Sequence, residues 1–177
     1  MLGPSRIDYS SQIRLFALLL FLFLLTLLLG STYLFGQSRN RLELEMERGL
    51  RLAARAAAER LGTDAAWRER GDLQALGPAT AAALEGLRVE AGLSRLVVWD
   101  AAGRRRAFGP GGLRLPDAMV APALRDGRAV LSDFFPGEEG GYRRAFTLPV
   151  QGEGGGAVGA VTAEVRSDFL GMLRRIR

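Results

Sequence analysis

Hydrophobic spacing along the chain changes its period twice. Between Arg14 and Arg39 no residue is charged, and LFALLLFLFLLTLLLGSTYLF fills most of that stretch. As a helix it is long enough to cross a hydrocarbon core of about 30 Å, so residues 13–36 are predicted to span a membrane behind a cytoplasmic tail, residues 1–12. A cleavable secretory signal is the alternative: Arg6 and Arg14 would form its basic region and Leu15 to Leu29 its apolar one. The apolar run, however, continues through Tyr33, Leu34 and Phe35, and the small-residue patterns around Gly30 or Gly36 to Ser38 are poor cleavage sites. An uncleaved anchor is the better reading. Arginines flank both ends evenly, so default insertion, with the short tail inside, places the body on the extracytoplasmic side of the cell inner membrane.

Over residues 37–62 the period becomes helical and amphipathic. Leu42, Met46, Leu50, Ala53, Ala57 and Leu61 share a stripe, and Arg41/Glu45, Glu47/Arg51 and Arg55/Glu59 stand four apart. This juxtamembrane helix either pairs with a second copy, giving a homodimer, or lies on its own domain. Shorter helices are expected at Asp64 to Arg70 and Ala79 to Ala91, the latter opened by Pro78 and closed by Gly92.

From Arg95 the period drops to two. LVVWD at Leu96 to Asp100 turns at Gly103 into a returning strand, Arg104 to Phe108, a hairpin. A Gly/Pro loop, Gly109 to Leu115, leads to a short helix, Pro116 to Arg125, that contains Pro122. Three strands follow at Arg128 to Phe135, Tyr142 to Val150 and Ala157 to Val165, joined by PGEEGG and QGEGGG. An exit helix over residues 166–177, capped by Ser167 or Asp168, closes the pattern and points toward a second span. The result is an α+β domain over residues 63–165 with a five-stranded, mainly antiparallel sheet.

Composition narrows the chemistry. All 24 basic residues are arginine, and there is no histidine or cysteine. That excludes a lysine Schiff base, a phosphate-loop lysine, a histidine base or phosphoacceptor, thiol catalysis and thiolate metal sites within this chain. No cofactor is expected. The net charge of +5 and the run Arg104, Arg105, Arg106 lack stacking aromatics and are interspersed with acids, so a solvated strand start is favoured over nucleic-acid binding. Gly154, Gly156 and Gly159 satisfy GxGxxG but lead into a strand, which makes them a hairpin turn. Asp133, Glu138 and Glu139 could hold calcium or act as an acid/base pair, yet adjacent glutamates among glycines read better as a solvated turn, and no metal is expected.

VVWDAAGR at Val97 to Arg104, LPV at Leu148 to Val150, and AVGAVTAEV at Ala157 to Val165 resemble the extracytoplasmic PAS-like sensor domains of the Cache type found in bacterial sensor histidine kinases and chemoreceptors. The resemblance covers Arg39 to Arg177. It implies the input portion of a transmembrane receptor, foremost a two-component histidine kinase, of which this chain would be an N-terminal piece. Strand parity sets Tyr142, Arg144, Phe146, Leu148 and Val150 on one face. Arg144 beside Tyr142 would then receive a small carboxylate or amino-acid ligand, with Trp99 and Phe134 as apolar walls and Asp133 as amine partner. The competing assignment leaves Arg144 paired with Asp133 or snorkelling at the sheet edge, and the aromatics in the core. A single-span assembly protein is the rival function, and a membrane-tethered enzyme the third.

Overall fold

The computed structural model describes residues 9–110, 117–137, 141–152 and 155–167. The chain divides into two compact units, Met1–Leu44 and Glu45–Arg177, and helix α1, Tyr9–Thr63, contributes to both.

In the first unit α1 is long and apolar enough to cross a membrane, with a mean hydropathy of 2.6 in its most apolar window. Leu15, Phe16, Phe21, Leu28 and Phe35 are exposed along it. Hydroxyls within the apolar run bond their own helix: Thr26 Oγ1 donates to the Leu22 carbonyl at 2.7 Å and Thr32 Oγ1 to that of Leu28 at 3.0 Å. A hydroxyl bonded to its own helix costs little in hydrocarbon.

In the second unit α1 buries Leu50, Ala53, Ala54, Ala57 and Leu61. Of the two outcomes open for this stripe, packing on its own domain is the one observed. Of the stripe expected to pair with a second copy, Leu50, Ala53, Ala57 and Leu61 are covered by the chain's own domain, while Leu42 is 51% exposed. Asp64 ends α1 and starts α2, Ala65–Arg70, by accepting the Trp67 amide, and its other oxygen accepts Thr80 Oγ1 of α3, Pro78–Glu90. Gly92 closes α3 in the left-handed region, at φ 63°, letting the Leu93 amide reach back to the Arg88 carbonyl.

Among the described residues six antiparallel strands follow: β1 Arg95–Asp100, β2 Arg105–Phe108, β3 Val130–Leu131, β4 Phe135–Pro136, β5 Tyr142–Gln151 and β6 Ala157–Ser167. Their order is β2-β1-β6-β5-β3, with β4 also on β5. Helix α4, Asp117–Asp126, links β2 to β3. The strand expected at Arg128 to Phe135 is split in two. Ser132 explains the split: its hydroxyl accepts the Ala145 amide at 2.9 Å while its own amide donates to the Ala145 carbonyl. With Ser132 opposite Ala145 and Phe135 opposite Arg143, Asp133 and Phe134 together oppose Arg144, a bulge. β6 extends through Ser167, so residues 166 and 167, expected in the exit helix, are strand; Phe169 to Ile176 lie outside the described residues.

The sheet has two unlike faces. Leu96, Val98, Phe146, Val150, Val161 and Ala163 pack with α1 and α3 around the buried Trp67. Val97, Trp99, Ala145 and Ala160 pack with Met119, Val120 and Ala123 of α4.

Candidate functional site

Antiparallel partners share a face, so the registers Arg95↔Glu164, Val97↔Thr162 and Thr147↔Thr162 place those polar residues on the α4 side with Trp99 and Ala145. Five of the six buried polar residues among those described lie there: Arg95, Arg143, Thr147, Thr162 and Glu164. Only Asp100, at the end of β1, has the opposite parity.

Charge buried this deeply is tolerable only when paired. Arg143 Nη1 donates to Glu164 Oε1 at 2.6 Å, with side chains 8% and 2% exposed. Arg95 donates from Nε and Nη2 to the Pro110 carbonyl, at 3.2 and 2.7 Å. Ser94 Oγ donates to the Glu164 carbonyl. A neutral relay lies alongside: Trp99 Nε1 donates to Thr162 Oγ1 at 2.9 Å, and Thr162 shares a hydrogen bond with Thr147 at 2.9 Å. The Arg105 guanidinium lies 5.8 Å from the Trp99 ring centre. Arg143 Nε is buried next to Gly137 and has no hydrogen-bond partner among the described residues.

Of the five residues named from the sequence, Arg144, Phe134 and Asp133 meet at the bulge opposite Arg144 and Tyr142 lies two residues before it on β5, whereas Trp99 stands apart. Trp99 is on the α4 face. Arg144 is on the α1 face, where its Nε donates to the Ser132 carbonyl at 3.2 Å, its Nη2 lies 3.7 Å from Glu47 Oε2, and its guanidinium lies 5.2 Å from the Phe134 ring centre. Its acidic partner is Glu47 of α1, and Asp133 is exposed in the bulge. Tyr142 shares the parity of Arg144 at the start of β5. Glu138 and Glu139 lie outside the described residues. Arg95, Arg143 and Glu164 were passed over, although charged residues interrupting runs of small and apolar strand residues were the signal available.

At the other end of β1, the Arg104 amide and Nε both bond Asp100, at 2.8 and 2.7 Å, and Nη2 reaches Asp72 at 3.0 Å. The hydrogen bond to Asp100 leads in holding the Arg104 proton more tightly than usual, aided by the charges of Asp100 and Asp72. This cluster ties the hairpin to the turn before α3.

No family model matches the chain, and no curated protein aligns with it. Solved structures do share its fold. An extracellular ligand-binding receptor from Desulfohalobium retbaense superposes with a TM-score of 0.52 at 22% identity, over 73% of this chain and 24% of that one. The ligand-binding domain of the Campylobacter jejuni chemoreceptor Tlp3, in complex with L-valine, superposes with a TM-score of 0.57 at 10% identity, over 75% of this chain and 56% of that one. The sensory domain of the same receptor gives 0.58 at 11% identity, over 75% and 57%. This chain thus spans between a quarter and just over half of those chains, and what it shares with them is the fold.

Proposed function

We propose that this chain is the extracytoplasmic, signal-sensing input portion of a single-span membrane receptor segment, with a Cache-type domain reporting to a two-component histidine kinase. The ligand is a small carboxylate, foremost an amino acid, held on the α4 face by Arg143. One observation carries the reading: a fold shared with chemoreceptor ligand-binding domains concentrates its buried charge on one sheet face, where Arg143 Nε has no hydrogen-bond partner among the described residues. The apolar stretch of α1 supports the membrane anchorage.

In this reading Arg143 takes the carboxylate-binding part first considered for Arg144, while Phe134 and Asp133 lie with Arg144 away from the ligand. Thermal-shift screening of the full chain in lipid nanodiscs against the proteinogenic amino acids and small mono- and dicarboxylates tests it. A rise in melting temperature with at least one compound is expected, lost in Arg143→Met. A flat response across the panel would favour the rival single-span assembly protein.

A further inference from the structure

Arg143 and Arg144 are consecutive on β5 and face opposite sides of the sheet. Arg143 holds Glu164 on the α4 face. Arg144 reaches across to Glu47 on α1, and Glu47 Oε1 also receives Arg51 Nη2 at 2.6 Å. The Arg51 guanidinium lies 5.5 Å from the Phe146 ring centre, two residues further along β5. Four side chains therefore fasten one turn of α1 to the stretch of β5 behind Arg143. The Arg144 and Glu47 side chains are only 15% and 23% exposed, so solvent screens this fastening less than it does an open surface pair. Opposite Arg144 the strand pairing carries the two-residue bulge of Asp133 and Phe134, which weakens the ladder restraint on that part of β5.

We infer that Arg144 is the coupling residue of the receptor domain: a change at the Arg143–Glu164 pair shifts β5 at its bulge, and Arg144 passes that shift to α1 through Glu47. This deepens the ligand-binding reading above and rests on it for the natural signal. The linkage itself is a property of the chain and is measurable without a ligand. Two sites are coupled when each biases one shared element, here the seating of α1 on β5.

The test is a double-mutant cycle read by amide hydrogen exchange on the full chain in nanodiscs. Glu164→Gln, which keeps the shape of the side chain, perturbs the α4 face. Exchange of the Glu47 to Arg51 amides is expected to rise roughly two- to fivefold in the Arg144 background, the scale of one ion pair, and to stay unchanged in an Arg144→Met background. Equal acceleration in both backgrounds, or none in either, overturns the inference. Should Glu164→Gln fail to fold, Thr162→Val perturbs the same face with the same expectation. The paired exchange Glu47→Arg with Arg144→Glu should restore the response that either single change abolishes, which a purely structural role for Arg144 would not produce. Failure of the ligand panel with an intact cycle would remove the amino-acid reading and leave the coupling standing.

Discussion

The α1 face and the α4 face of the sheet are built from the same strands by opposite means. Against α1 and α3 the sheet presents leucine, valine and phenylalanine, and the elements interlock through Leu50, Ala54, Leu61, Trp67 and Leu84, all essentially inaccessible. Against α4 it presents small residues, Ala145 and Ala160, interspersed with Arg95, Arg143, Thr147, Thr162 and Glu164. The first face derives its stability from apolar area, at about 25 cal/mol per Å². The second exchanges part of that area for oriented charge, which stabilises little beyond its own desolvation. A face that forgoes stability in this way is the one to interrogate for binding.

The largest effect separating the faces comes from breaking the buried pair. Arg143→Ala removes the partner of Glu164, which is 1% exposed in the native chain, and is expected to cost about 3–5 kcal/mol in denaturant unfolding of the full chain. Replacing both partners, Arg143→Met with Glu164→Leu, should recover most of that stability while leaving ligand binding absent. A double variant as unstable as the single would show that the pair holds the fold together and is not reserved for binding.

Much of the framework was legible in the sequence, because glycine turns and alternation mark β1, β5 and β6 and the charge-free run marks the start of α1. Two things were not. The split between β3 and β4 depends on the Ser132 hydroxyl replacing a ladder hydrogen bond, a side-chain substitution that hydrophobic period does not register. The choice of face depended on which side the long helix covers. Parity correctly grouped Tyr142, Arg144 and Phe146, but the strand pattern is compatible with a helix on either side. Arg144 therefore entered the reading as a ligand residue and Arg143, its neighbour, did not. In the fold the small residues Ala145 and Ala160 pack beneath α4.

Between these extremes lies Gly159, on β6 beside β1 and Trp67. A Cβ there would stand within van der Waals exclusion of the Trp99 carbonyl oxygen and 2.9 Å from Trp67 Cζ2. The carbonyl is backbone and cannot step aside. Gly159→Ala is expected to lower stability by about 1–3 kcal/mol in thermal or urea melts, through displacement of β6 from β1. Because Trp99 sits on the α4 face and Trp67 on the other, the variant also sharpens the comparison. A loss of ligand response larger than the loss of stability would show that the α4 face depends on fine strand spacing.

The smallest effect comes from an ion pair outside both faces. On α3, Arg88 Nη2 donates to Glu85 Oε1 at 2.6 Å, with the glutamate side chain 44% exposed. The hydrogen bond from Arg88 leads, with its charge adding and desolvation opposing, so the Glu85 carboxyl titrates below its ordinary value of 4.5. A carboxyl that releases its proton more readily when folded stabilises the fold at pH above that ordinary value, and the contribution disappears as pH falls through the lowered one. Arg88 also donates to the Leu93 carbonyl at 3.1 Å, so the pair fixes the end of α3 against β1. Because so much of Glu85 meets water, Glu85→Gln should cost about 0.5 kcal/mol or less at neutral pH and nothing once acid has protonated the wild-type group. Melts of both proteins should therefore converge below pH 4.5 and separate slightly above it. A separation as large as that of Arg143→Ala would mean that exposure does not distinguish the two pairs, and that the contrast between a solvated helix surface and the charged α4 face had been drawn in the wrong place.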